Sequence, residues 1–151
     1  MLRDEINAAL KTAMKARDQR SVSTLRLINS AFQTADIEAG GQGKAPLADP
    51  ELLGLLQKMI KQRHESAEIY EKAGRAELAE QERAEIEIIS AYLPKQMSDV
   101  EAGAAISAIL HEINAEGMKD MGRVMTALKE RFAGKLDFAK ASAKVKDLLK
   151  S

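Results

Sequence analysis

Hydrophobic residues recur along this chain with a period near 3.6 and nowhere sustain a period of two. Leu2, Ile6, Ala9, Leu10, Ala13 and Met14 form one stripe of a first helix. Val22, Leu25, Ile28, Phe32 and Ala35 form a second, with the break expected between Asp18 and Ser21. From Glu38 to Leu47 the periodicity stops, and three glycines with Pro46 predict a mobile loop. Asp49-Pro50-Glu51 predicts a new start, with Asp49 as capping acceptor, proline at the first helical position and an acidic first turn. The third helix carries Leu52, Leu56, Met59, Ile60, Arg63, Ala67 and Tyr70 on one side. Gly74 is placed to end it in the left-handed conformation. A fourth helix follows with Leu78, Glu82, Glu85, Ile86, Ile89 and Leu93.

Pro94 disfavours helix at the residue before it and predicts a boundary. Beyond it, Ser98 and Glu101 have the spacing of a capping box. Ile106, Ile109, Leu110 and Ile113 mark a fifth helix, and Met121, Val124, Met125 and Leu128 a sixth that ends near Gly134. A seventh starts at an Asp137 cap and carries Phe138, Ala141, Val145, Leu148 and Leu149. No Asn-Gly or Asp-Gly hairpin signal interrupts this series. The fold class is therefore all-α: an N-terminal four-helix subdomain over residues 1–94, then a C-terminal three-helix bundle over 95–151.

Composition narrows the chemistry. With three Phe, two Tyr and no Trp among 151 residues, the core must be aliphatic. The absence of Cys excludes disulfides, thiolate zinc sites, iron–sulfur clusters and a Cys nucleophile. Basic and acidic residues balance at 23 each, so the whole molecule exerts no net pull on nucleic acid or membrane. The balance is uneven along the chain: from Lys119 onward, nine basic residues face four acidic ones, a net +5. No apolar run approaches the ~18 residues of a membrane span. The first residues, Met1-Leu2-Arg3-Asp4-Glu5, do not read as a signal peptide. A cytoplasmic location without membrane contact is the resulting expectation.

Few constellations could carry chemistry. Gly40-Gly41-Gln42-Gly43-Lys44 lacks the first glycine and the magnesium-binding hydroxyl of a phosphate loop, since Glu38 and Ala45 stand there. His64-Glu65 has Glu68 where a zinc-protease helix needs histidine, and no metal or cofactor site is expected. Glu82 and Glu85 share the apolar side of the fourth helix, so they require cationic partners. Arg63 and Arg75 are the candidates, and the four residues are expected to form a structural ion-pair network. Gly122, one position after an apolar residue, predicts close approach by another helix. Met97, Met118, Met121 and Met125 suit either core filling or an adaptable contact surface for a protein partner. Lys119, Arg123, Lys129, Arg131 and Lys135 could form a basic face for a phosphate backbone, although Asp120 and Glu130 interrupt it.

Taken together, Lys61-Gln62-Arg63-x-x-Ser66, Gly74-Arg75-x-x-Leu78 with Glu82 and Glu85, Tyr92-Leu93-Pro94 and Asp120-Met121-Gly122-x-x-Met125 resemble the YqeY family. That family is similar to the tail domain of the B subunit of the tRNA-dependent amidotransferase. The resemblance covers essentially the whole chain and implies an accessory module that contacts tRNA or another structured RNA. It also brings the label of a carbon–nitrogen ligase with glutamine as amido-nitrogen donor. The chain has no amidase serine–serine–lysine arrangement and no phosphate loop, so no catalytic residue is assigned. By resemblance, Lys61, Arg63, Arg75 and Arg123 become packing or RNA-contact positions. The alternative reading is a protein–protein interaction adaptor.

Overall fold

A computed structural model describes residues 1–150. Seven α-helices run α1 (Leu2–Ala16), α2 (Gln19–Gly41), α3 (Asp49–Lys72), α4 (Ala76–Ser90), α5 (Asp99–Ile113), α6 (Met121–Phe132) and α7 (Phe138–Lys150). A single 3₁₀ turn, Met118–Asp120, leads into α6, and no strand occurs among the described residues. The all-α expectation holds.

The helix ends follow local chemistry. Ser98 Oγ accepts from the Glu101 amide at 3.1 Å, and the Glu101 carboxylate accepts from the Ser98 amide at 3.1 Å. Asp137 Oδ1 accepts from the amides of Ala139 and Lys140, which starts α7. Gly74, at φ +73°, closes α3 with two backbone bonds: its own amide to the Glu71 carbonyl and the Arg75 amide to the Tyr70 carbonyl.

Two expected boundaries move. The segment read as a loop from Glu38 begins as helix, because α2 continues through Gly41. Termination waits for Gly43, whose φ of +73° lets the Lys44 amide turn back to the Ala39 carbonyl at 2.8 Å. Asp49 is inside α3 rather than its cap, since Ala48 holds the capping position. The Asp49 carboxylate instead accepts from the Leu2 amide at 3.2 Å, which ties the start of α3 to the start of α1.

The chain divides into two compact units, Met1–Leu93 and a second beginning at Pro94. In the first, Ile6, Leu25, Ile28, Leu52, Leu56 and Ile89 are buried from α1 to α4. In the second, Ile106, Ile109, Val124, Leu128, Leu136 and Val145 close a separate core. Both cores are mainly aliphatic, with Phe32 the one buried aromatic among the described residues. On α4 the predicted Ile86 and Ile89 are buried, and only the start of the stripe differs: Ala79 is buried there whereas Leu78 is 37% exposed.

Candidate functional site

In the first unit, α3 and α4 lie side by side as an antiparallel hairpin closed at Gly74. This brings Arg63 to Glu85, with Nε 3.4 Å from Oε2 and both side chains largely buried. Arg63 Nη1 donates to the Met59 carbonyl at 3.2 Å, while its buried Nε makes an ion pair but no aligned hydrogen bond. Burial holds the Glu82 carboxyl above its ordinary range, the Glu85 charge pushes the same way, and Arg63 partly offsets both. The cluster therefore unites Arg63, Glu82 and Glu85. Arg75 and Lys61 are exposed and stand outside it.

A tighter clamp in this unit escaped sequence reasoning. Arg3 grips Asp36 with both Nη atoms, at 2.7 and 2.8 Å, and its Nη2 also donates to the Leu47 carbonyl at 2.9 Å. The Asp36 carboxylate in turn accepts from the Leu47 amide at 3.0 Å. These bonds, with Arg3 first, hold the Asp36 carboxyl below its ordinary range. The guanidinium lies 5.9 Å from the centroid of Phe32. Partners 33 positions apart leave no short-range signal.

In the second unit, the cations of the expected basic face divide into two groups. Lys119 pairs with Glu116 at 3.7 Å and Arg131 with Glu112 at 2.7 Å. Arg123 donates through Nη1 to Asp120 at 3.1 Å and through Nη2 to the Ile113 carbonyl at 3.2 Å. Asp120 is buried and accepts from the amides of Glu116 and Gly117 as well. The Glu116 amide, followed by Gly117 and Arg123, holds its carboxyl below the ordinary range against the opposing effect of burial. Arg123 is thus part of the stitching between the end of α5 and the start of α6. Lys129 and Lys135 are exposed and, among the described residues, have no ion pair.

The same holds for Lys140, Lys144, Lys146 and Lys150 of α7, exposed residues outside its buried stripe of Ala141, Val145 and Leu149, although the Lys144 side chain reaches across to Gly103 of α5. These four were not singled out from the sequence. The distribution of acids could have found them: α7 carries one carboxylate, Asp147, against four lysines.

Two other expectations change. An added Cβ at Gly122 meets nothing within 4 Å, so no other helix of the second unit lies against it. It instead borders a shallow depression of about 490 Å³ lined by Ile113, Gly122, Arg123, Thr126, Ala127 and Glu130. Met97, Met121 and Met125 pack against the second core, which leaves Met118 as the exposed member of the methionine group. Both histidines are exposed, and no cluster of three potential ligands occurs among the described residues.

The model of the Yqey-like protein family matches residues 3–149. The chain belongs to the YqeY-like family. A relative from Pyrenophora tritici-repentis, named altered inheritance of mitochondria protein 41, is 30% identical over 132 residues, covering 83% of this chain and 70% of its own. The Lachancea thermotolerans protein of the same name is 37% identical over 106 residues, covering 69% of this chain and 55% of its own. A third, from Clavispora lusitaniae, is 34% identical and covers 76% of this chain and 65% of its own. The chain thus spans between about half and seven-tenths of the length of these relatives. Their names correct the cytoplasmic expectation, because each of these relatives is called mitochondrial. The physical reason is simple: balanced charge and the lack of a long apolar helix bear on membrane spanning, and neither encodes an address.

Proposed function

We propose that this YqeY-like chain is an accessory RNA-binding module that holds tRNA or another structured RNA through its second unit and performs no bond chemistry of its own. One observation carries the reading. The α7 lysines and Lys129 on helical surfaces, with Lys135 in the turn between α6 and α7, are exposed cations that form no ion pair among the described residues. Such charges are free to replace the counterions of a phosphate backbone, whereas Lys119, Arg123 and Arg131 already have a carboxylate beside them that partly neutralises them. Lys61 and Arg75 offer weaker, isolated contacts on the first unit. In this reading, any link to glutamine-dependent carbon–nitrogen ligase chemistry runs through an enzyme that the module assists. Neither a cofactor nor a metal is required.

The test is titration of labelled bulk tRNA at about 50 and 200 mM salt. Affinity should fall steeply, with a log–log slope near −0.7 to −0.9 for each phosphate neutralised. Absent or salt-independent binding overturns the proposal. Ammonia release from glutamine by the purified protein overturns its non-catalytic part.

A further inference from the structure

The rim of the depression on α6 has an unusual symmetry. Arg123 and Glu130 are seven residues apart, which places them two turns apart on one side of the helix, separated by about 10 Å along its axis. Between them lie Thr126 and Ala127, and Gly122 stands at one end. The neighbouring carboxylates are already matched: Glu112 with Arg131, Glu116 with Lys119 and Asp120 with Arg123. Glu130 is exposed and, among the described residues, has no cation. Arg123 uses two of its five donors internally, and its side chain stays 63% exposed.

We propose that this depression is a dimer interface on which a second copy lays its own α6 antiparallel. A two-fold axis between Thr126 and Ala127 sets Arg123 against the partner subunit's Glu130, and the same operation sets Glu130 against the partner subunit's Arg123. Both charge pairs form at once because the pattern is its own complement under reversal. The lack of a side chain at Gly122 and the single methyl of Ala127 let the two helix axes approach to the short end of the usual 8–10 Å range. Ile113 supplies apolar area at the floor.

The occupant follows from this charge pattern. RNA would place its phosphates beside Glu130, Glu116 and Glu112, whereas a second α6 presents each charge with its opposite. The contact is a single helix pair, well below a standard interface of about 1,600 Å², so the dimer is weak and concentration-dependent. It leaves the α7 lysines out of account and stands or falls separately from RNA binding.

Sedimentation equilibrium of the full chain, from about 10 μM to about 1 mM, tests the proposal. The apparent mass should rise from 16.5 kDa towards twice that value. Ala127→Arg, on the axis, and Glu130→Arg, on the rim, should each remain monomeric over the same range. The decisive arm mixes two charge variants. Arg123→Glu carries only acids at the two rim positions and Glu130→Arg only bases, so each should be monomeric alone and the mixture should form a heterodimer. Because Arg123→Glu also disturbs Asp120, far-UV circular dichroism must match wild type. If it does not, the two single variants decide the matter. A wild-type chain that stays monomeric at about 1 mM overturns the proposal, as does undiminished dimerisation of Ala127→Arg and Glu130→Arg. Binding of this face to an unrelated helical protein without self-association overturns it in favour of another occupant.

Discussion

Arg123 Nη1 lies 3.1 Å from Asp120 Oδ1, and this contact makes Arg123 a structural pin. The same guanidinium holds the last carbonyl of α5, at Ile113, while Asp120 gathers the amides of Glu116 and Gly117. The connection between two helices is therefore fixed by one acid and one base three positions apart.

Replacing Asp120 by Asn should lower the thermal midpoint of the second unit at neutral pH. The Asp120 carboxyl is held below its ordinary range, so its contribution is present above the usual aspartate range and is lost as pH falls through the folded-state value. The difference between variant and wild type should accordingly shrink in acid. Hydrogen exchange at Glu116 and Gly117 is the local readout, and both amides should exchange faster in the variant.

Glu82 should behave in the opposite way. Its folded-state carboxyl titrates above the ordinary glutamate range, so ionisation opposes folding. The relative stability from the bound proton is full below the unfolded value and disappears as pH rises through the folded one. Glu82→Gln should therefore stabilise the first unit at neutral pH and make little difference at about pH 3, below the ordinary glutamate value. Urea unfolding at the two pH values decides this.

Thr24 is fully buried and its hydroxyl has no hydrogen-bond partner among the described residues. Valine keeps the shape and removes the unmet polar atom, so Thr24→Val should raise stability by about 1 kcal/mol in urea unfolding. A loss of similar size would show that the hydroxyl has a partner after all.

Arg3→Lys keeps the charge but gives up the two-pronged grip on Asp36 and the reach to Leu47. The segment before α3 should loosen, read as faster exchange of the Leu47 amide. Helical content should stay unchanged.

For RNA, reversing Lys140 and Lys144 to Glu should weaken tRNA binding and flatten its salt dependence by roughly one phosphate per residue. Arg123→Ala should cost stability more than affinity. The reverse ranking would move the interface from α7 to α6.

Much of the fold was legible because its signals are local. The Ser98–Glu101 box, the Asp137 cap and the Gly74 terminus each depend on residues a few positions apart, and each forms as read. Within the glycine run, the helix stopped at the residue that adopts positive φ, which spacing alone does not single out. Part of the α3–α4 cluster was visible, since carboxylates on an apolar stripe require a cation and Arg63 provides one. The charge excess around α6 was legible, but a sum over sequence cannot tell an unpaired lysine from an arginine paired with Asp120. The Arg3–Asp36 clamp depends on chain closure over more than thirty residues, where no periodicity operates.

The separate cores also shape how this protein can fail. Leu128→Ala, which empties volume at a fully buried position, should cost about 2–5 kcal/mol. That loss falls on a different cluster of side chains from the one around Ile28. Damage in one half need not spread, so a lesion that melts the lysine-bearing end would leave the packing around Ile28 in place.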